Sequence, residues 1–136
     1  MKRVFVDTSG FFALFCGEDQ QHQHARELFA QADAQRWRLV TTNAVVIETH
    51  ALLIARLRDG RRHGIEFVDR LERTEFRVER IRASDERRAI SLLRRHADKD
   101  YSLCDALSFV MMERLKIKEA IAFDRHFREY GQVVIL

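Results

Sequence analysis

Short apolar segments alternate with longer amphipathic segments along this chain, and that alternation restricts the folds it can adopt. Residues 3–6 have the character of a buried strand, and residues 8–15 follow as a predicted helix. Further strands are predicted at 39–41, 76–81, 120–123 and 133–135. Because continuous apolar strands must be covered on both faces, they favour a parallel sheet between layers of helices. We therefore predict an α/β fold, a three-layer α/β/α sandwich with a central parallel sheet.

The remaining helices are predicted from apolar residues at helical spacing and from capping residues. They cover residues 20–35, a segment that begins at Thr42 or Asn43 and is expected to stop at Gly60, residues 65–71, residues 84–96, and a segment that begins at Ser102. The chain contains no proline, and no repeat or linker interrupts the pattern. Its 136 residues, 46% of them hydrophobic, are enough for one core, so we expect a single domain over residues 1–136.

The composition excludes several classes of protein. No apolar run approaches the roughly 20 residues that a membrane-spanning helix needs, so no membrane association is expected. Cys16 and Cys104 are too few and too isolated to indicate a disulfide framework or a zinc site. A reduced, cytoplasmic location is the resulting expectation.

The basic residues are dominated by arginine. The formal net charge is only +3, but 20 of the 24 basic residues are arginines. Arginine suits bidentate phosphate contacts, which agrees with a nucleic-acid partner, although a genome rich in arginine codons explains the excess equally well. A dense basic stretch, Arg56–Arg62, could contact RNA, meet an acidic partner protein or simply be a solvated face, and the sequence does not decide among these.

Four acidic residues stand beside apolar segments with no basic residue obviously placed to pair with them. Asp7 follows the first strand, and Asp124 ends the apolar run 120–123. Glu48 is the only charge between residues 44 and 55, and Asp105 begins the apolar stretch 103–112. We expect such segments to be buried, and burying an unpaired carboxylate is costly unless something compensates its charge.

These carboxylates are expected to share one pocket. Asp7 and Asp124 lie at carboxyl ends of strands, the edge at which open parallel sheets bind ligands. Asp105 lies in the first turn of its helix, and Glu48 lies about one and a half turns into another helix. Both side chains can therefore reach the same edge. Two carboxylates about 6 Å apart repel by roughly 3 kcal/mol at an effective dielectric constant near 20. A bound Mg²⁺ or Mn²⁺ removes that repulsion and suits phosphodiester hydrolysis by a metal-activated water.

Each acidic residue also has a purely structural interpretation. Asp7 could cap the following helix, and Ser102 with Asp105 resembles a capping box. Asp124 could accept hydrogen bonds from Arg125 or His126 in a turn, and for His126 a role in that turn is favoured over contact with RNA. Since the four signals occur together, we prefer the metal-site hypothesis.

The four segments resemble the PIN domain family, particularly the toxin ribonucleases of bacterial toxin–antitoxin pairs. The resemblance covers nearly the whole chain, with the four motifs in the family's order. They are Val6–Leu14, Thr41–Thr49, Asp100–Phe109 and Ala122–Phe127.

The resemblance implies an endoribonuclease that depends on Mg²⁺ or Mn²⁺. It assigns Asp7, Glu48, Asp105 and Asp124 as the catalytic, metal-coordinating set, with Asp124 the most variable position. Supporting roles fall to Thr8 or Ser9, which would orient Asp7 or a metal-bound water, and to Asn43 or Ser102. It also implies an RNA substrate, a homodimer and a small antitoxin that occludes the site.

Three other functions compete with this one. A PIN-type RNA-processing nuclease outside toxin–antitoxin systems would carry the same motifs. A module that binds RNA without cleaving it would be expected to lose acidic residues, and this chain keeps all four. A phosphatase or dehalogenase with Asp7 as covalent nucleophile would usually have a second Asp where Ser9 stands.

Overall fold

The computed structural model describes residues 1–136 as five strands and seven helices. The strands are β1 (Arg3–Val6), β2 (Arg38–Thr42), β3 (Phe76–Glu79), β4 (Glu119–Ile121) and β5 (Val134–Ile135). The helices are α1 (Thr8–Phe15), α2 (His22–Ala34), α3 (Asn43–Arg56), α4 (Gly60–Leu71), α5 (Ala83–Arg95), α6 (Leu103–Leu115) and α7 (Arg125–Tyr130). None of the helices combines the length and the apolar character that crossing a membrane requires.

All five strands form one parallel sheet with the order β3-β2-β1-β4-β5. The central strand β1 pairs with β2 and β4, so that Phe5 lies opposite both Val40 and Ala120. Residues 4–6 of β1 are fully buried, because helices cover the sheet on both sides. The predicted three-layer α/β/α sandwich with a central parallel sheet is confirmed, and β3 and β5 are its edge strands.

The boundary between α3 and α4 differs from the prediction. Thr42 caps α3 as expected, since its Oγ1 accepts a hydrogen bond of 3.1 Å from the Val45 N–H. The helix ends at Arg56, however, and Gly60 is the first residue of α4. A Cβ atom at Gly60 would lie 2.5 Å from the Leu53 carbonyl oxygen. Gly60 therefore permits the close approach of two helices, and its interpretation as the stop of α3 was wrong.

A buried ion pair fixes α5 against α6. Asp85, near the start of α5, is fully buried and accepts from Arg114 Nε at 2.9 Å and Nη2 at 3.1 Å. It also accepts a 2.9 Å hydrogen bond from the Arg82 N–H. Because Arg114 lies in the last turn of α6, this contact sets the two helices antiparallel. The end of α5 consequently lies beside the start of α6.

Candidate active site

The carboxyl ends of β1 and β4 lie side by side and lead into two of the predicted acidic residues. Val6 is opposite Ile121 in the parallel register, and the Asp7 N–H donates a 3.2 Å hydrogen bond to the Ile121 carbonyl. Asp7 and Asp124, which follow these strands, are thus placed on one edge of the sheet. This is the edge at which parallel sheets form their ligand crevices.

Ser9 connects the ends of these two strands. Its Oγ donates a hydrogen bond of 2.9 Å to Asp7 Oδ2. The same Oγ accepts hydrogen bonds from the backbone N–H groups of Phe123 at 2.8 Å and Asp124 at 3.2 Å. One hydroxyl, with its donor and both acceptor positions used, therefore holds Asp7 in register with the segment that carries Asp124.

Asp105 enters the site from the first turn of α6. It forms the predicted capping box, in which Ser102 Oγ accepts from the Asp105 N–H and Asp105 Oδ2 accepts from the Ser102 N–H, both at 3.0 Å. The same Oδ2 lies 2.9 Å from Nδ1 of His126. The structural and functional interpretations of Asp105 are therefore compatible, because the cap fixes the carboxylate that faces the site.

His126 lies between two carboxylates, which the sequence analysis did not foresee. Its Nδ1 is 2.9 Å from Asp105 Oδ2 and 3.0 Å from Asp124 Oδ1, in contacts too bent to count as hydrogen bonds. Its Nε2 is buried and has no hydrogen-bond partner. The predicted turn contact is also present, since the His126 N–H donates to Asp124 Oδ1 at 2.9 Å. The position of His126 two residues after Asp124 was the only signal for this arrangement.

The short helix α7, which was not predicted, places His126 in this position. Asp124 is its N-cap, and Phe127 is the one residue of the helix that is buried. The Phe127 ring packs edge-on against Phe109 of α6 at a centroid distance of 4.9 Å. This contact holds the first turn of α7 against α6, where Asp105 lies.

Burial and mutual repulsion disfavour the ionised form of the carboxyl groups in this site. Burial raises the pKa of Asp7 to about 7, and the charge of Asp105 adds to this while hydrogen bonds from Ser9 oppose it. Burial and the charge of Asp124 also raise the pKa of Asp105, against hydrogen bonds from Ser102 and the charge of His126. Without a cation, this edge of the sheet binds protons at a pH where isolated carboxyl groups are ionised.

Glu48 is placed differently from the other three. It is exposed, as is its neighbour Ile47 at 69%, so the expectation that its apolar segment buries it was wrong. Glu48 still faces the site, because burial and then the charges of Glu48 and Asp7 raise the pKa of the Cys104 thiol far above its usual range. Glu48 is thus an exposed residue near Cys104, and it is not part of the cluster formed by Asp105, Asp124 and His126.

The remaining supporting residues have separate roles. Thr8 Oγ1 accepts a 3.3 Å hydrogen bond from the buried Thr49 Oγ1, which fixes α3 against α1 next to Glu48. Asn43 Oδ1 accepts a 2.9 Å hydrogen bond from the Ile81 N–H, a contact that joins α3 to the segment after β3. Asn43 therefore orders the scaffold, whereas Ser9 and Ser102 contact the acidic residues directly.

The donor atoms fit a divalent cation. Ligand atoms of Asp105, Asp124 and His126 all lie within 4.8 Å of one another. Asp7 is electrostatically coupled to this group through Asp105. Carboxylate oxygens suit Mg²⁺ and Mn²⁺, and an imidazole nitrogen widens the range toward transition metals. The raised carboxyl pKa values and the unpartnered His126 nitrogen are what a site shaped for a cation would show.

The fold and this site define the class of protein. The chain is a parallel α/β/α sandwich, and its acidic residues lie beyond the carboxyl ends of β1 and β4. The sequence model of the PIN domain family matches residues 4–133. The chain belongs to the PIN domain family, and the resemblance identified from its four motifs is confirmed.

Individual relatives show how far this similarity extends. The chain is 36% identical over 132 residues, 97% of each protein, to the 23S rRNA-specific endonuclease VapC20 of Mycobacterium tuberculosis. The crystal structure of that VapC20, described as a Sarcin-Ricin loop cleaving toxin, aligns with a TM-score of 0.85 at 35% identity, covering 94% of this chain and 95% of VapC20.

More distant structures share the fold alone. FitAcB from Neisseria gonorrhoeae aligns with a TM-score of 0.66 at 14% identity, over 98% of this chain and 96% of that chain. VapBC2 from Rickettsia felis, bound to a DNA fragment from its promoter, aligns with a TM-score of 0.68 at 9% identity, over 98% and 97% of the two chains.

Proposed function

We propose that this protein is a single-domain, metal-dependent endoribonuclease and the toxin of a toxin–antitoxin pair. Asp7, Asp105 and Asp124 would hold the cation, and the exposed Glu48 would complete the catalytic set. The observation that carries the proposal is that three acidic residues from distant parts of the chain lie together. Ser9 contacts both Asp7 and the Asp124 N–H, and His126 contacts Asp105. The endoribonuclease activity predicted from the sequence is supported by the 36% identity to an RNA endonuclease.

The chemistry follows from the groups present. A divalent cation bound here would activate a water molecule and neutralise charge that develops on the phosphodiester. Asp7 is buried and its carboxylate is oriented by Ser9. Since the Cys104 thiol has a strongly raised pKa, it stays protonated at neutral pH and is a poor nucleophile. Hydrolysis by water, without a covalent intermediate, is the reaction that these residues support.

The substrate and partners extend the same proposal. Because the Mycobacterium tuberculosis relative is specific for 23S rRNA, this RNA is the first substrate to test. We further propose a small antitoxin that covers the acidic pocket, a homodimeric toxin and a cytoplasmic location. These assignments agree with the exposed position of Glu48, which a substrate or an antitoxin can reach without unfolding the protein.

The decisive experiment is cleavage of labelled total RNA and of intact ribosomes by the pure protein. Reactions with Mg²⁺, with Mn²⁺ and with EDTA are compared with the Asp7→Asn variant, which controls for contaminating ribonuclease. Discrete fragments that require a metal and are absent with the variant are expected. Fragments that persist in EDTA, or that the variant produces equally, would refute the proposed metal site.

A further inference from the structure

A second polar cavity lies between α5 and the segment from α6 to the end of α7, outside the acidic pocket. It has a volume of about 720 Å³. Its polar lining includes Arg88, Ser91, Arg95, His96, Tyr130 and Gln132. None of these residues belongs to the proposed metal site, and we call this cavity the α5 groove.

Two arginines on one side of α5 dominate its charge. Arg88 and Arg95 are seven residues apart, which places them two helical turns, or about 10.5 Å, from each other on the same face. Burial and Glu113 raise the pKa of the Tyr130 phenol, while Arg95 and Arg88 act in the opposite direction. Both arginines line the groove together with the Tyr130 phenol.

The acidic residue of the groove does not neutralise both arginines. Glu113 pairs with Arg88 at 3.4 Å, and both side chains are well exposed, so phosphate can replace this contact at little cost. Arg95 forms no ion pair. The groove thus offers more hydrogen-bond donors than the protein itself uses: two guanidinium groups, a phenol, an amide and a serine hydroxyl. Such a set of donors is suited to binding phosphate oxygens.

The groove adjoins the acidic pocket through one aromatic side chain. Tyr101 packs edge-on against His126 of the pocket at a centroid distance of 5.7 Å. Tyr101 also contacts two groove residues, His96 at 5.8 Å and Tyr130 at 6.3 Å. The acidic pocket and the α5 groove therefore lie on either side of the Tyr101 ring.

We propose that the α5 groove binds the sugar–phosphate backbone of the RNA strand that flanks the cleavage site. The inference rests on the proposed endoribonuclease function and extends it to how the substrate is held. RNA is favoured over an acidic protein segment because the donors line a cavity that only the Tyr101 side chain separates from the pocket where a phosphodiester would be cut. Such backbone contacts position a strand without reading its bases.

The test compares RNA binding by Arg95→Gln and Arg94→Gln variants of the full chain. Arg94 is an exposed neighbour on α5 that does not line the groove, so its variant controls for loss of general positive charge. Both variants also carry Asp7→Asn, so that the RNA stays intact, and Mg²⁺ is present at one fixed concentration in all measurements. Fluorescence anisotropy gives the Kd of uridine oligomers of about four and about 16 nucleotides across a range of salt concentrations.

Arg95→Gln is expected to weaken binding of the longer oligomer and to reduce its salt slope by about 0.7, the value for one lost phosphate contact on a single strand. Binding of the short oligomer, which the acidic pocket accommodates alone, is expected to stay unchanged, as is all binding by Arg94→Gln. Tyr130→Phe keeps the ring stacked on Phe109 at 4.1 Å and removes only the hydroxyl. Tyr130→Phe should weaken binding of the longer oligomer without changing the salt slope of that binding.

Three outcomes would overturn the inference. The first is an Arg95→Gln variant whose salt slope equals that of the protein carrying Asp7→Asn alone. The second is an Arg94→Gln variant that weakens RNA binding as much as Arg95→Gln does. The third is an Arg95→Gln variant that weakens binding of the short and the long oligomer equally. A polyglutamate peptide is measured in parallel, and loss of its binding alone would assign the groove to an acidic protein instead. Failure of the wild-type protein to cut RNA would refute the proposed function separately, because these binding measurements involve no cleavage.

Discussion

Gly10 in α1 lies directly against the Ile121 carbonyl oxygen at the end of β4. A Cβ atom at Gly10 would be 2.5 Å from that oxygen and 3.0 Å from Ile121 Cγ2. Real Cβ atoms do not approach backbone oxygens so closely, so only glycine allows this contact. The contact brings the first turn of α1 onto the end of β4, which is what lets Ser9 reach the N–H groups of Phe123 and Asp124.

Gly10→Ala is therefore expected to damage both stability and activity. The added methyl group forces α1 away from β4, and overpacking of this kind costs about 1–3 kcal/mol. The shift also breaks the Ser9 contacts, so RNA cleavage should fall by more than the loss of folded protein explains. Urea unfolding and cleavage rates measure the two effects. Gly17→Ala is the control, since a Cβ there meets nothing within 4 Å.

Asp7→Asn is expected to stabilise the metal-free protein at neutral pH. The pKa of Asp7 is raised to about 7 in the folded state from an ordinary value of 3.8. The folded state then binds the proton more tightly than the unfolded state, so stability is lost as pH rises from about 4 through 7. Asparagine removes this penalty, which amounts to roughly 4 kcal/mol at most above pH 7.

Unfolding in EDTA at pH 4 and pH 8 measures this effect. The variant and the wild type should be nearly equal at pH 4 and should differ most at pH 8. Exposed Asp98→Asn serves as the matched control and should show no pH-dependent difference. Adding Mg²⁺ or Mn²⁺ at pH 8 should raise the Tm of the wild type more than that of Asp7→Asn. Equal stability of both proteins at all pH values would show that Asp7 carries no such penalty.

His126→Ala is expected to change which metals the site prefers. Imidazole nitrogen suits Zn²⁺ much better than it suits Mg²⁺. Removing it should lower Zn²⁺ affinity by at least about tenfold while leaving Mg²⁺ affinity nearly unchanged. Calorimetric titration of each metal gives both affinities, with His63→Ala on α4 as the control. Parallel losses for Zn²⁺ and Mg²⁺ would mean that His126 only positions the two carboxylates.

Arg114→Met should destabilise the fold strongly at neutral pH. It leaves the carboxylate of Asp85 buried without its charge partner, a change that typically costs about 3–5 kcal/mol. Burial of Asp85 opposes its ionisation, but hydrogen bonds from Arg82 and Arg114 and the charge of Arg114 outweigh it and hold its pKa below the usual value.

The pH dependence separates this effect from lost packing. A carboxyl group with a lowered folded-state pKa contributes stability above its ordinary pKa, and that contribution disappears as pH falls through the folded-state value. The difference between Arg114→Met and the wild type should therefore shrink in acid. Arg88→Met, which breaks only the exposed pair with Glu113, should cost less than about 1 kcal/mol. A pH-independent cost for Arg114→Met would identify packing as the cause.

The sequence predicted the elements whose burial is determined locally. The bounds of β1 and α1 match the prediction, because a strand with three consecutive apolar residues followed by Asp7 as N-cap has few alternative structures. That Asp7 and Asp124 lie at the same edge of the sheet follows from strand direction once β1 and β4 are neighbours. Gly60 was misinterpreted because glycine serves helix termination and close helix packing equally well, and only the second depends on distant residues.

The exposure of Glu48 and the place of His126 depended on tertiary contacts. Apolar neighbours suggested that Glu48 is buried, yet Ile47 is exposed, so the apolar segment does not face the core on all sides. The six residues of α7 are too few and too polar to show a helical period, and Phe127 alone anchors them. Because α7 could not be predicted, the position of the His126 imidazole between Asp105 and Asp124 could not be predicted either.

The hydrogen bonds of Ser9 to Phe123 and Asp124 span more than a hundred residues of chain. During synthesis, the amino-terminal part of the sheet can form long before the residues that complete the acidic pocket have left the ribosome. A chain that ends before Phe123 contains Asp7, Glu48 and Asp105 but lacks the contacts that align them with a fourth acidic residue. The acidic pocket can therefore be completed only after the segment that contains Phe123 and Asp124 has been synthesised and has docked against Ser9.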